Sequence, residues 1–273
     1  DDEGNFTINF GTGHKFKYYA GSQEDAATSA TIHKNSNVYI KINKNSLAMD
    51  EDEESADSAY YLPYSGLGET WSSPRIFRMP NTESDSSLHN DIYVMVMGGG
   101  MGTKFDNTGS NVFVIDLENE ENPGKVVKRI SIKDKIQSPD IANAVLGSPV
   151  VITPDTTVGV PWRGAIVYVN DLEGKITKIN ISNQDVPGSS AENDMFRKTI
   201  LFDALATHEN QRYMFHSMDA SRGGETQGSL WLYAGTGDYQ NITNTATGMD
   251  NLLIGIQDKD FPYFIKRDTT ITP

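Results

Sequence analysis

The feature that most constrains this chain is a recurring pair of short apolar runs. One run ends in a glycine turn, and the next carries Asn-aliphatic-aromatic-aliphatic character. The first copy reads FGTGH at 10–14 and NVYIKIN at 37–43, the second MGGGMG at 97–102 and NVFVIDL at 111–117. The third reads YVNDLEG at 168–174 with KITKIN directly behind it, and the fourth AGTGD at 234–238 with NLLIGI at 251–256. Two lead-in segments also rhyme, WSSPRI at 71–76 and LGSPVV at 146–151. Short alternating or β-branched runs bounded by Gly, Asn, Asp and Pro are the pattern of antiparallel strands. Glycine at the reversals supplies positive φ and lets backbones approach closely.

Helical periodicity is nearly missing, with one short helix expected over Phe202 to Glu209 and a turn around 139–145. The chain therefore reads as all-β. Units recurring at roughly 65 to 90 residues suit the blades of a β-propeller, each a four-stranded antiparallel sheet that buries its faces only by stacking on neighbours. The competing all-β architecture is a β-sandwich with glycine turns. The expectation is one propeller domain over 1–273, or part of a longer one, in a chain that starts at Asp1 as a processed piece. Two polar stretches, 44–65 and 80–90, read as excursions decorating one rim.

Charge and composition exclude several functions. Lys and Arg total 23 against 37 Asp and Glu, a net charge of −14. Such a surface lacks the basic footprint that nucleic acid or an anionic membrane requires. No run is long and apolar enough to cross a membrane as a helix. The absence of cysteine removes thiolate metal sites, disulfides and Cys nucleophiles. Enzyme motifs also fail. His208-Glu209 is followed by its next histidine only at His216, which is not zincin spacing. The glycine clusters lack dinucleotide spacing and a following helix, and Ser65 lacks the glycine that precedes a nucleophile elbow. The acidic run Asp50 to Glu54 starts like a calcium loop but has Ser55 at the sixth position and Tyr61 at the twelfth, and so reads as a solvated face.

The ordered set GETWSSP at 68–74, MGGGM at 97–101, NVFVIDL at 111–117, GSPVV at 147–151, VYVNDLEGKI at 167–176 and LWLYAGTGDY at 230–239 resembles the C-terminal β-propeller of the PilC/PilY family. These are type IV pilus tip-associated adhesins of Gram-negative bacteria. The resemblance covers about two-thirds of the chain, from Gly68 to Tyr239. It implies a non-enzymatic extracellular protein at the cell surface or pilus tip, which helps minor pilins begin fibre assembly and contacts host or abiotic surfaces. Family members often carry a calcium loop. The matching stretch at 153–163 keeps Asp155 as the candidate metal ligand and carries Arg163 as well. No other cofactor is implied. A quinoprotein-like propeller enzyme shares the glycine-turn blades, but its vicinal cysteines and a tryptophan in every blade are missing here. Recognition on a rigid β scaffold falls to rim loops. Tyr60, Tyr61 and Tyr64, beside the acidic run, are therefore the expected partner-binding residues.

Overall fold

A computed structural model describes backbone and side chains at 64, 66–81, 91–102, 108–120, 123–133, 143–154, 162–184, 195–223, 229–243, 249–267 and 269–273. For 6–9, 16–20, 23–27, 29–32 and 38–39 it describes backbone strands only. The chain divides into two compact units, Asp1–Tyr61 and Leu62–Pro273. In the smaller unit β1 (Phe6–Asn9) pairs antiparallel with β4 (Ser29–Ile32). There β2 (Phe16–Ala20) lies between β3 (Gln23–Ala27) and β5 (Val38–Tyr39).

The larger unit contains three antiparallel sheets. Sheet I runs in the order β6 (Arg75–Pro80), β7 (Asp91–Gly98), β8 (Asn111–Asp116), β9 (Val126–Ser131). Sheet II runs β10 (Val150–Ile152), β11 (Gly164–Asn170), β12 (Lys175–Ser182), β13 (Lys198–Asp203). Sheet III runs β14 (Asp219–Arg222), β15 (Leu230–Gly235), β16 (Leu253–Asp258). The strand pairs expected from the second, third and fourth sequence copies are β7–β8, β11–β12 and β15–β16. The two rhyming lead-in segments enter β6 and β10.

The described residues hold no α-helix, and the one expected over Phe202 to Glu209 is absent. Residues up to Asp203 belong to β13, whose pairing with β12 holds them extended. Beyond it Leu205 takes a φ of 53° and donates its N–H to Asp203 Oδ1, while Asn210 Oδ1 accepts from the N–H groups of Thr207 and Arg212. Side-chain bonds of this kind satisfy the backbone locally and displace a helix.

Alternation along the strands decides how the sheets stack. Ala165, Val167 and Val169 of β11, with Ile179 and Ile181 of β12, share a core with Phe77, Met79, Val94, Val96, Val112 and Val114 of sheet I. Ile166 and Tyr168, with Ile176, face the other way and share a core with Leu230, Leu232, Ala234, Ile254 and Ile256 of sheet III. Sheet II therefore sits between the other two, and every residue of β11 and β12 is buried. Each fully buried aliphatic side chain contributes about 1.5–3 kcal/mol relative to exposure.

The same contacts recur from sheet to sheet. Within each sheet the lead-in segment is bonded to the turn after the second strand. Glu69 and Met101 exchange N–H···O bonds of 2.9 and 2.8 Å, Leu172 N–H donates to Ala144 O at 3.0 Å, and Gly237 N–H donates to Tyr213 O at 2.8 Å. Glu69, Ala144 and Tyr213 each stand four residues before a serine: Ser73, Ser148 and Ser217. Those serines link neighbours. Ser73 N–H donates to Ser148 Oγ at 2.9 Å, and Ser148 N–H donates to Ser217 Oγ at 2.7 Å. Sheet I thus meets sheet II as sheet II meets sheet III, a head-to-tail relation. Among the described residues this gives three stacked sheets and no closed ring.

Gly98 and Gly235 end β7 and β15 but differ in surroundings. A Cβ at Gly98 would lie 2.5 Å from Val145 O and 2.6 Å from Val145 Cγ1, whereas one at Gly235 meets nothing within 4 Å. Gly98→Ala should therefore cost about 1–3 kcal/mol in a denaturant titration, as overpacking does. Gly235→Ala should stay within about 0.5 kcal/mol of the parent.

Candidate functional site

An aromatic cluster with a buried base at Tyr213 and an exposed tip at Tyr239 is built where a lead-in segment meets a strand turn in sheet III. Tyr213 and Phe215 lie on the segment entering β14, and their rings meet edge-on at 6.2 Å. His208, from the turn before it, shares a 2.8 Å hydrogen bond between Nδ1 and the Tyr213 hydroxyl. Tyr239 closes the ridge, with its ring 6.3 Å from Phe215 and 5.5 Å from His216. A short 3-10 turn, Tyr239–Asn241, presents it, capped by Asp238 Oδ1 accepting Gln240 N–H at 2.9 Å. Tyr239 is 65% exposed and Ile242 beside it 80%. Aromatic side chains give a large contact area for little lost rotamer entropy, so the arrangement suits recognition of a surface or partner.

Two polar clusters lie inside the unit. The β11–β12 turn carries Asp171, Glu173 and Lys175, all buried, with Asn143 against them. Gly174 at φ 74° closes this turn, donating its N–H to Asp171 O at 3.0 Å, while the backbone of Arg212 presses where a Cβ would stand. Asn143 Nδ2 donates to both carboxylates, Lys175 Nζ pairs with Glu173 Oε2 at 2.7 Å, and Lys175 N–H reaches Asp171 Oδ1 at 3.2 Å. Burial pushes the Asp171 carboxyl up to about 7, with the Lys175 N–H opposing and the Glu173 charge adding to the rise.

The second cluster ties sheet II to sheet III. Tyr168 and Lys178 are cross-strand partners, and both reach Asp258 Oδ2, at 2.7 and 2.6 Å. Lys178 Nζ also donates to Tyr263 O at 2.6 Å. Burial lowers the Lys178 pKa against the opposing pull of Asp258, and burial together with Asp258 raises the Tyr168 phenol. Both clusters satisfy charges in apolar surroundings. They present no surface to a substrate.

Of the residues expected to bind partners or metal, Tyr60, Tyr61 and Asp155 lie outside the described residues, as do the acidic run 50–54 and loop residues 82–90. Tyr64 is described. Its hydroxyl donates to Gly124 O at 2.6 Å and its ring stacks on Phe113 at 6.1 Å, leaving it 39% exposed. Arg163, at the end of the stretch matched to the calcium loop, pairs with Asp91 and so links sheets I and II. No group of His, Cys, Asp and Glu among the described residues is placed to hold a metal ion. Sequence reasoning missed the ridge at Tyr213, Phe215, His216 and Tyr239. Its available signal was the alternation of Tyr213 and Phe215 just ahead of Ser217. Comparison of the chain with protein-family models, curated proteins and solved structures finds no match.

The raised Asp171 carboxyl has a definite pH signature. Between the ordinary aspartate value and about 7 the folded chain holds a proton that the unfolded chain releases. This contribution to stability is present below the unfolded pKa and is lost as pH rises through that window. Asp171→Asn should flatten the fall in melting temperature between about pH 4 and pH 7 relative to the parent. Parallel curves for the two proteins would place the proton elsewhere.

Proposed function

We propose that this chain is a β-propeller, or part of one, acting as a type IV pilus tip-associated adhesin and assembly factor of the PilC/PilY kind. It works by surface binding, without a catalytic step, outside the cell. The observation that carries the reading is the recurrence of sheets joined head to tail through Ser73, Ser148 and Ser217, the first two of which lie in segments whose sequence order resembles that family. A ring of blades needs one contact repeated around an axis, and a heterologous contact of this type is what closes into rings. The exposed ridge at Tyr239 supports a binding role, because rigid β scaffolds place recognition on the loops at their ends. Minor pilins and a host or abiotic surface are the partners of this reading.

Piliation and attachment of the source cells test this directly. Removing the gene should leave few surface pili and reduce attachment, and restoring the parent chain in its full-length context should recover both. Restoring Tyr239→Ala should recover piliation with attachment reduced at least about threefold, while the purified variant melts within about 0.5 kcal/mol of the parent because the side chain is mostly exposed. Normal pili and attachment without the gene would exclude the pilus role.

A further inference from the structure

Sheet II meets sheet III as sheet I meets sheet II, with a change of chemistry at one pair of positions. The hairpins align through their registers: Val96 faces Val114 in sheet I, Tyr168 faces Lys178 in sheet II, and Tyr233 faces Gly255 in sheet III. Val114 of β8 and Ile181 of β12 are wholly buried in the core between sheets I and II. Lys178 of β12 and Asp258 of β16 hold the equivalent places between sheets II and III, and their side chains are at 0% exposure. An aliphatic pair packs there at least as stably as a buried ion pair, so stability does not by itself account for the charges.

The groups around this pair are arranged unequally on the two carboxylate oxygens. Lys178 Nζ stands 2.6 Å from Asp258 Oδ2, one C–O bond from Cγ, and also donates to Tyr263 O at 2.6 Å. The Tyr168 hydroxyl donates to the same Oδ2 at 2.7 Å. Asp260 N–H donates to Oδ1 at 3.1 Å, and Arg267 Nη2 lies 4.0 Å from Oδ1, steadied by the 2.6 Å bond from Arg267 Nε to Asp260 Oδ2. One oxygen therefore faces an amine and a phenol, and the other faces a backbone N–H and a guanidinium. Acyl transfer needs such a set: a nucleophile beside the carboxyl carbon, an acid on the leaving oxygen, and donors on the oxygen that takes up charge. Tyr168 belongs to the apolar cluster of Ile166, Leu230 and Phe264, which keeps water away. Burial there drives the Lys178 ammonium toward the free amine, while the Tyr168 phenol holds its proton.

We propose that Lys178 and Asp258 condense into an isopeptide bond, a covalent link between β12 and β16 that the folded chain forms on itself. The ammonium first passes one proton to Oδ2 across their contact, leaving a free amine and a carboxylic acid. The Nζ–Cγ bond then forms, and the charge gathers on Oδ1 beside Asp260 N–H and Arg267. The Cγ–Oδ2 bond breaks as Tyr168 gives its hydroxyl proton to Oδ2 and regains one from Nζ. Oδ2 departs as water with two of the three ammonium hydrogens. The third stays as the amide N–H, which keeps the bond to Tyr263 O. Ammonium and carboxylate become amide and water, so the step needs no oxidant, cofactor or second substrate. Sheets II and III then no longer part by losing hydrogen bonds and packing alone. The proposal rests on the geometry between these sheets and not on the pilus reading, which the piliation assay tests by itself.

Denaturing mass spectrometry of the purified full chain reads the bond directly. The parent should weigh about 18 Da less than its sequence requires, the mass of one water lost between two side chains. Proteolysis should release one branched fragment that joins the segments carrying Lys178 and Asp258. Lys178→Arg keeps the positive charge but has no primary amine, and should keep the full mass of its own sequence. Tyr168→Phe retains both reactants and loses the hydroxyl. Sampled over time after synthesis, it should form the link at least about tenfold more slowly than the parent. A folded parent that holds its full sequence mass through prolonged incubation would overturn the proposal, and that reading needs no variant. So would water lost at any site other than these two residues. Linking of Tyr168→Phe at the parent's rate would overturn the part given to the phenol.

Discussion

The larger unit depends on the burial of β11 and β12 on both faces. A two-faced sheet cannot hide its polar residues on a solvent side, and β12 carries Lys175, Thr177, Lys178, Asn180 and Ser182, all buried. Each must find its partners inside. Lys178 does so across the gap to sheet III, where Asp258 and the carbonyl of Tyr263 take its ammonium, while the Tyr168 hydroxyl donates to the same Asp258 oxygen. Asn180 and Ser182 are bridged by Gln184, whose Oε1 accepts Phe264 N–H at 2.6 Å. Such pairs add little net stability compared with an apolar packing, but an unmatched charge there costs several kcal/mol. They therefore favour the one stacking register in which sheet III presents Asp258.

On the other face of sheet II the ties are made at the margins. Arg163 reaches Asp91, and Lys198 Nζ donates to Ser131 O, while the middle is filled by valine and isoleucine. The two interfaces share their serine links and their strand alternation but not their central chemistry. A repeated geometry can thus be held by different side chains, and this accounts for a repeat that is faint in sequence.

The turns and strands were legible because their physics is local. The glycine turn at 98–100, the DLEG reversal and the two Ser-Pro lead-ins marked where strands begin and end, and β6 to β8, β10 to β12 and β15 to β16 fall there. What stayed hidden depends on tertiary contact. Phe202 to Glu209, with Leu201 just ahead of it, sets Leu201, Ala204 and Leu205 at spacings that mimic a helix, but β12 claims its first residues as an outer strand. Tyr64 read equally as a recognition residue or as one that packs its loop onto the sheet, and the aromatic neighbour it stacks on, Phe113, lies 49 positions away, beyond the reach of any local pattern. Tyr60, Tyr61 and Asp155 fall outside the described residues. The ridge around Tyr239 escaped notice because its members come from three separate turns.

Native-state hydrogen exchange measures the central claim, that sheet II is the clamped middle of a stack. Strands buried on two faces should open only with the whole unit, whereas an outer sheet can open by itself. The amides of β11 and β12 should therefore exchange slowest, with free energies at the global unfolding value, and those of β14 should exchange faster. Equal or weaker protection of β11 and β12 would contradict a central sheet held from both sides.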